Sequence, residues 1–87
     1  MNANEKEFME MLRDAEANIS SDYEMEIDHF NGEDDTPSGW WVYKYNEARG
    51  EAVIADDPEP LITDEEAKAK GIDVVKCLNE YGCYYVA

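Results

Sequence analysis

Cations are scarce in this chain. Seven Lys and Arg stand against 22 Asp and Glu in 87 residues, a formal net charge of −15. Nucleic-acid phosphates are held by clustered Lys and Arg. The few cations here are scattered, so direct binding to DNA or RNA is not expected. Anionic membrane surfaces are excluded by the same argument. Histidine is scarcer still, with His29 alone. It alternates with apolar residues along its segment, which makes it a satisfied interior or sheet-edge histidine rather than a general base. There are three serines and no glycine-rich phosphate loop. Carboxylates are so numerous that some pair always falls at a plausible catalytic separation, which removes its diagnostic value. No enzymatic activity is expected.

Metal ligands are equally thin. Two cysteines and one histidine are too few for a zinc site. A calcium loop needs oxygen ligands at alternating positions, and Phe30 interrupts that spacing between Asp28 and Asp35. Asp56, Asp57 and Glu59 read as a solvated charged turn, so neither metal nor other cofactor is expected. No apolar run approaches the roughly 20 residues of a membrane span. The segment Met1 to Asp14 is acidic, unlike the basic start of a signal peptide. The expectation is a cytoplasmic protein with Cys77 and Cys83 as reduced thiols, a disulfide between them being the alternative.

What is present suffices for one small domain over residues 1–87. Hydrophobic residues make up 44% of the chain, enough for a core and too many for a disordered segment. A domain of this size has a thin stability margin, on the order of 5 kcal/mol. Most carboxylates lack a possible partner, so self-repulsion lowers that margin, more so at low salt.

Periodicity places the elements. Phe8, Leu12, Ala15 and Ile19 share one face of a helical period, with Asn4 and Glu7 as a capping box. From Tyr23 the period becomes two: Tyr23, Met25, Ile27 and His29 alternate with Glu24, Glu26, Asp28 and Phe30. A loop from Asn31 to Gly39 follows, then a strand from Trp40 to Tyr45, a turn, and a strand from Glu51 to Ala55. Pro58 and Pro60 end the sheet. Thr63 and Glu66 cap a second helix, whose stripe Ala67, Gly71, Val74, Leu78 and Tyr81 favours one element to about Tyr81, with Gly71 as a close-packing point on its buried face; the alternative is a break into two helices at Gly71. Gly82 stops it, and Cys83 to Val86 forms a last short strand. The order α-β-β-β-α-β predicts an α+β fold, a mostly antiparallel sheet of three to four strands with two helices on one face.

The acidic residues are ordered. Glu24, Glu26 and Asp28 repeat at i, i+2 along a strand, which spaces them about 6.6–6.8 Å apart. Phosphates along a DNA strand rise about 3.4 Å each and wind around the axis, so the two spacings are of the same order. Glu33, Asp34 and Asp35 form a second cluster, and Asp56, Asp57 and Glu59 a third. Their loops leave opposite ends of a strand and extend the array. Trp41, Tyr43 and Tyr45 share one face of their strand, Trp40, Val42 and Lys44 the other. Trp and Tyr are enriched at binding hot spots. The bland alternatives are a solvated acidic surface and a two-sided core.

In length, charge, α+β makeup and carboxylate rows such as Glu24-Glu26-Asp28, the chain resembles a class of small acidic inhibitors. These are encoded by phages and mobile elements and imitate DNA; anti-CRISPR proteins, anti-restriction proteins and uracil-DNA glycosylase inhibitors are examples. The resemblance is one of composition across the whole chain, with no shared motif. It implies a non-enzymatic protein that occupies the basic nucleic-acid-binding surface of a CRISPR effector, a restriction enzyme or a repair enzyme. The candidate contact residues are Glu24, Glu26, Asp28, Glu33, Asp34, Asp35, Asp56, Asp57 and Glu59, with Trp41 and Tyr43 as apolar anchors. The alternative from another class is a structural or assembly protein, homodimeric through the aromatic sheet face.

Overall fold

The computed structural model describes residues 2–46, 48, 50–54 and 59–86. The fold is α+β. Helix α1 (Ala3–Ala17) leads into strands β1 (Glu24–Phe30), β2 (Gly39–Asn46) and β3 (Glu51–Ile54). A two-residue strand β4 (Ile62–Thr63), helices α2 (Asp64–Lys70) and α3 (Val74–Tyr81), and strand β5 (Tyr84–Val86) complete it. The sheet runs β3-β2-β1-β5, and β4 pairs with β2 beside the Gly39 end. Every pairing is antiparallel except β1 with β5, which is parallel. The sequence pattern assigns no strand to the stretch in which β4 falls. Leu61 N–H donates to the Trp40 carbonyl at 2.7 Å, and Ile62 is 3% exposed in the core.

α1 starts two residues earlier than its expected capping box. The Asn2 side chain accepts the Glu5 N–H at 2.8 Å, and the Glu5 carboxylate accepts the Asn2 N–H at 3.0 Å. Asn4, the expected cap, instead donates its side-chain amide to the Lys70 carbonyl at 3.1 Å. Asn2 also donates to the Gly71 carbonyl at 3.0 Å. Both asparagines therefore tie α1 to the end of α2. With Asn2 as the cap, its partner Glu5 also accepts the distant Asp73 N–H, and the Asn4 amide is left for Lys70.

The single helix expected from Thr63 to Tyr81 is two helices. Thr63 caps α2 as expected, its hydroxyl accepting the Glu66 N–H at 3.1 Å. Gly71 then adopts φ +67°, the left-handed conformation that ends helices. Gly71 N–H bonds the Lys68 carbonyl and Ile72 N–H the Ala67 carbonyl, the paired bonds of a Schellman stop. Asp73 restarts the chain as α3 by accepting the Lys76 N–H at 3.1 Å. The stripe Ala67, Val74, Leu78 stays in phase because both helices lie on the same core, which disguises the break. Gly82, φ +85°, ends α3 as expected.

The core lies between one sheet face and all three helices. Phe8 and Leu12 of α1, Ala67 of α2, and Val74, Cys77 and Leu78 of α3 close over Met25, Ile27, Trp40 and Ile62. The sheet's second face thus receives none of the core's helical residues.

Candidate functional site

Strand register decides what stands on the second face. Glu24 pairs with Tyr45, Glu26 with Tyr43 and Asp28 with Trp41 across β1 and β2. On the other flank Glu26 pairs with Tyr84 and Asp28 with Val86 of β5. Paired residues share a face. The carboxylate row of β1 therefore runs between Trp41, Tyr43 and Tyr45 on one side and Tyr84 and Val86 on the other. Phe30 extends the row, and its ring meets Trp41 edge-on, centroids 5.8 Å apart at 87°.

The two anchors expected from sequence do not stand out equally. Trp41 is only 6% exposed, so it is a floor rather than a contact. Tyr43 is half-buried. The apolar groups that do reach solvent here are Tyr84, 66% exposed, with Val86 and Phe30. Phe30 continues the two-residue period of the row and was legible as a member of it. Tyr84 and Val86 were not, because their position beside β1 depends on a parallel pairing with a strand more than 50 residues away.

The row's electrostatics follow from this crowding. Glu24 is exposed, while Glu26 and Asp28 are half-buried. Partial burial pushes the Glu26 carboxyl above the usual range, and its hydrogen bond to the Asp28 carboxyl and the Asp28 charge push the same way. Asp28 Oδ1 is buried and has no hydrogen-bond partner. No described cation relieves the row. Lys6 and Arg13 lie on α1, Lys68 and Lys70 on α2, Lys76 on α3. Lys44 points to the covered face, 5.0 Å above the Tyr23 ring.

A groove of about 480 Å³ opens on this face between Glu24, Glu26, Tyr45 and Tyr84. A second, of about 730 Å³, adjoins it past Glu24 and Tyr45 toward Asp22 and Tyr23.

Of the other predicted residues, Glu33, Asp34 and Asp35 are exposed in the turn joining β1 to β2. Reciprocal backbone bonds between Glu33 and Thr36, at 2.9 and 3.1 Å, close that turn and leave Asp34 and Asp35 at its tip. Gly32 permits it, since a Cβ there would lie 2.7 Å from the Thr36 carbonyl oxygen. Glu59 is exposed, two residues before the Leu61 bond to Trp40. It stands toward the Gly39 end of β2, the end that carries the acidic turn, and not at the opposite end as expected. Asp56 and Asp57 lie outside the described residues.

His29 is a satisfied sheet histidine. Its Nε2 lies 2.9 and 3.1 Å from the two Asp64 carboxylate oxygens, and its ring meets Trp40 edge-on at 4.8 Å. Cys77 and Cys83 are free thiols, and burial pushes both up, which disfavours the thiolate. Among the described residues no cluster of three or more His, Cys, Asp or Glu is placed to hold a metal ion. No described helix is long and apolar enough to cross a membrane.

Compared with family models, with curated proteins and with solved structures, the chain finds no significant match.

Proposed function

We propose that this protein is a non-enzymatic inhibitor whose open sheet face docks on the basic nucleic-acid groove of a partner, in the manner of a DNA mimic. A single observation carries the reading: Glu24, Glu26 and Asp28 stand in one strand-spaced row on a face with no described cation. The aromatic neighbours of the row add the apolar contact that tight protein interfaces concentrate in Tyr and Trp. The acidic turn at Asp34 and Asp35 extends the charge past the Phe30 end. A CRISPR effector is the first target, since its guide and target channels are strongly basic. A restriction enzyme or a repair enzyme follows. Long-range attraction makes association fast and strongly salt-dependent.

The test is displacement of labelled DNA from a purified panel holding one protein of each type, at low and at high salt. The expected result is competition at low salt with at least one of them, lost in a Glu24→Gln, Glu26→Gln, Asp28→Asn variant that still folds. Competition with none, or competition untouched by the triple variant, removes the proposal.

A second reading is a homodimer through the same face, which exposed Phe30, Tyr84 and Val86 favour. Each copy must then bring its own carboxylate row against the other's, and like charges opposed across an interface are costly. Sedimentation across salt concentrations separates the two readings.

A further inference from the structure

The carboxylate row is not uniform, and its middle has the features of a slot for one kind of side chain. We propose that the groove between Tyr45 and Tyr84 is an arginine slot. The partner's guanidinium lies between the two phenol rings and forks onto Glu26, with Glu24 completing the neutralisation. This rests on the reading of the face as a docking surface for a basic protein, and it names the residue type that the face grips.

Three observations carry it. The groove's walls are aromatic and its charged groups are carboxylates: β2 supplies Tyr45, β5 supplies Tyr84, and Glu24 and Glu26 lie between. A guanidinium is planar, weakly hydrated and rigidly forked, so it stacks on a ring and bonds a carboxylate with two N–H groups at once. An ammonium is compact and strongly hydrated, and gains less from such walls. Charge then selects the occupant. No described cation of this chain reaches the face, and a second copy, at −15, adds like charge. A cationic segment of another protein is the complement.

The third observation is the middle of the row itself. Asp28 Oδ1 is buried with no hydrogen-bond partner, and partial burial together with the neighbouring Asp28 carboxyl raises Glu26. A guanidinium on Glu26 favours the ionised carboxylate and so draws the raised carboxyl back down. The groups that face Glu26 are Glu24 and Asp28 on β1, Tyr43 and Tyr45 on β2, and Tyr84 on β5, none of them cationic. Arginine binding therefore releases a proton and tightens as pH rises through the raised Glu26 range.

The experiment titrates the intact protein with two short peptides, alternating Gly-Arg and alternating Gly-Lys, followed by NMR and by calorimetry in buffers of different ionisation enthalpy. The arginine peptide is expected to bind about 2–5-fold tighter than the lysine peptide, the range of a partly exposed cation–π contact. Shifts should centre on Tyr45, Tyr84 and Glu26. Tyr84→Leu and Tyr45→Leu should each remove the preference, and Tyr45→Phe should keep it. Glu26→Gln should abolish the buffer-dependent heat. Equal affinity for the two peptides, or shifts centred on Asp34 and Asp35, overturns the slot. If the slot fails while the Glu24, Glu26 and Asp28 variant still blocks DNA displacement, the docking surface stands without it. If arginine preference holds but no partner's DNA is displaced, the inhibitor reading fails and the slot remains.

Discussion

The Glu5 carboxylate accepts the backbone N–H of Asp73 at 3.2 Å, and so ties the first turn of α1 to the start of α3, 68 residues away. The same carboxylate caps α1 through the Asn2 N–H and lies 4.0 Å from the Cys77 sulfur. Glu5 is only 5% exposed, yet its two backbone donors compensate the loss of water. One side chain thus serves two helix N-termini.

That arrangement sets a pH dependence. Hydrogen bonds from Asn2 first, then Asp73, hold Glu5 below its ordinary carboxylate value. A carboxyl lowered in the folded state stabilises the fold above its unfolded pKa, and this stabilisation is lost as pH falls through the folded value. Glu5→Ala is expected to lower the thermal midpoint at neutral pH. The gap to the parent protein should narrow under acid conditions. A midpoint gap independent of pH counts against the assignment.

Glu26 has the opposite sign. Its carboxyl is raised by partial burial and by Asp28, so its ionised form opposes folding at pH values above the unfolded carboxylate range. Glu26→Gln is expected to raise the thermal midpoint at neutral pH, with the gain fading as pH falls. If the proposed docking holds, the same substitution is expected to weaken DNA displacement. A residue whose removal stabilises the fold and weakens binding serves the interface rather than the fold. Paired thermal melts and DNA-displacement assays check both halves.

Gly71 is a conformational requirement rather than a packing one. A Cβ there meets nothing closer than the Asn2 side chain at 3.7 Å, so there is space for alanine. The backbone, at φ +67°, is the obstacle. Gly71→Ala is expected to cost about 1–2 kcal/mol in denaturant unfolding. A neutral substitution would mean that the break between α2 and α3 does not need its left-handed residue.

Trp41 and Phe30 touch, yet they divide the work. Trp41→Ala removes a buried ring and is expected to cost about 3 kcal/mol or more. Phe30 is 43% exposed, so Phe30→Ala should cost much less stability while weakening partner binding. Chemical denaturation combined with the displacement assay reads the contrast. Equal stability losses would place Phe30 in the floor beside Trp41.

Local pattern determined much of this protein. The apolar spacing of Phe8 and Leu12, the alternation of Met25 and Ile27, the β-prone run around Trp40 and the stops at Thr63 and Gly82 each act within a few residues. Helix turns, pleats and caps depend on such neighbours. The strand-spaced row of Glu24, Glu26 and Asp28 was legible for the same reason. Tertiary structure decided the rest. It chose Asn2 and Glu5 over Asn4 and Glu7 as the cap, because those groups also meet Gly71 and Asp73. It split the second helix, with Ile72 and Val74 packed on one core. It buried Trp41, exposed Tyr84, and laid β5 parallel beside β1. Each of these turns on a backbone or side-chain partner distant in sequence, and periodicity carries no signal of such partners. The charge was written in the composition. The groove between Tyr45 and Tyr84 exists only once the strands are in register.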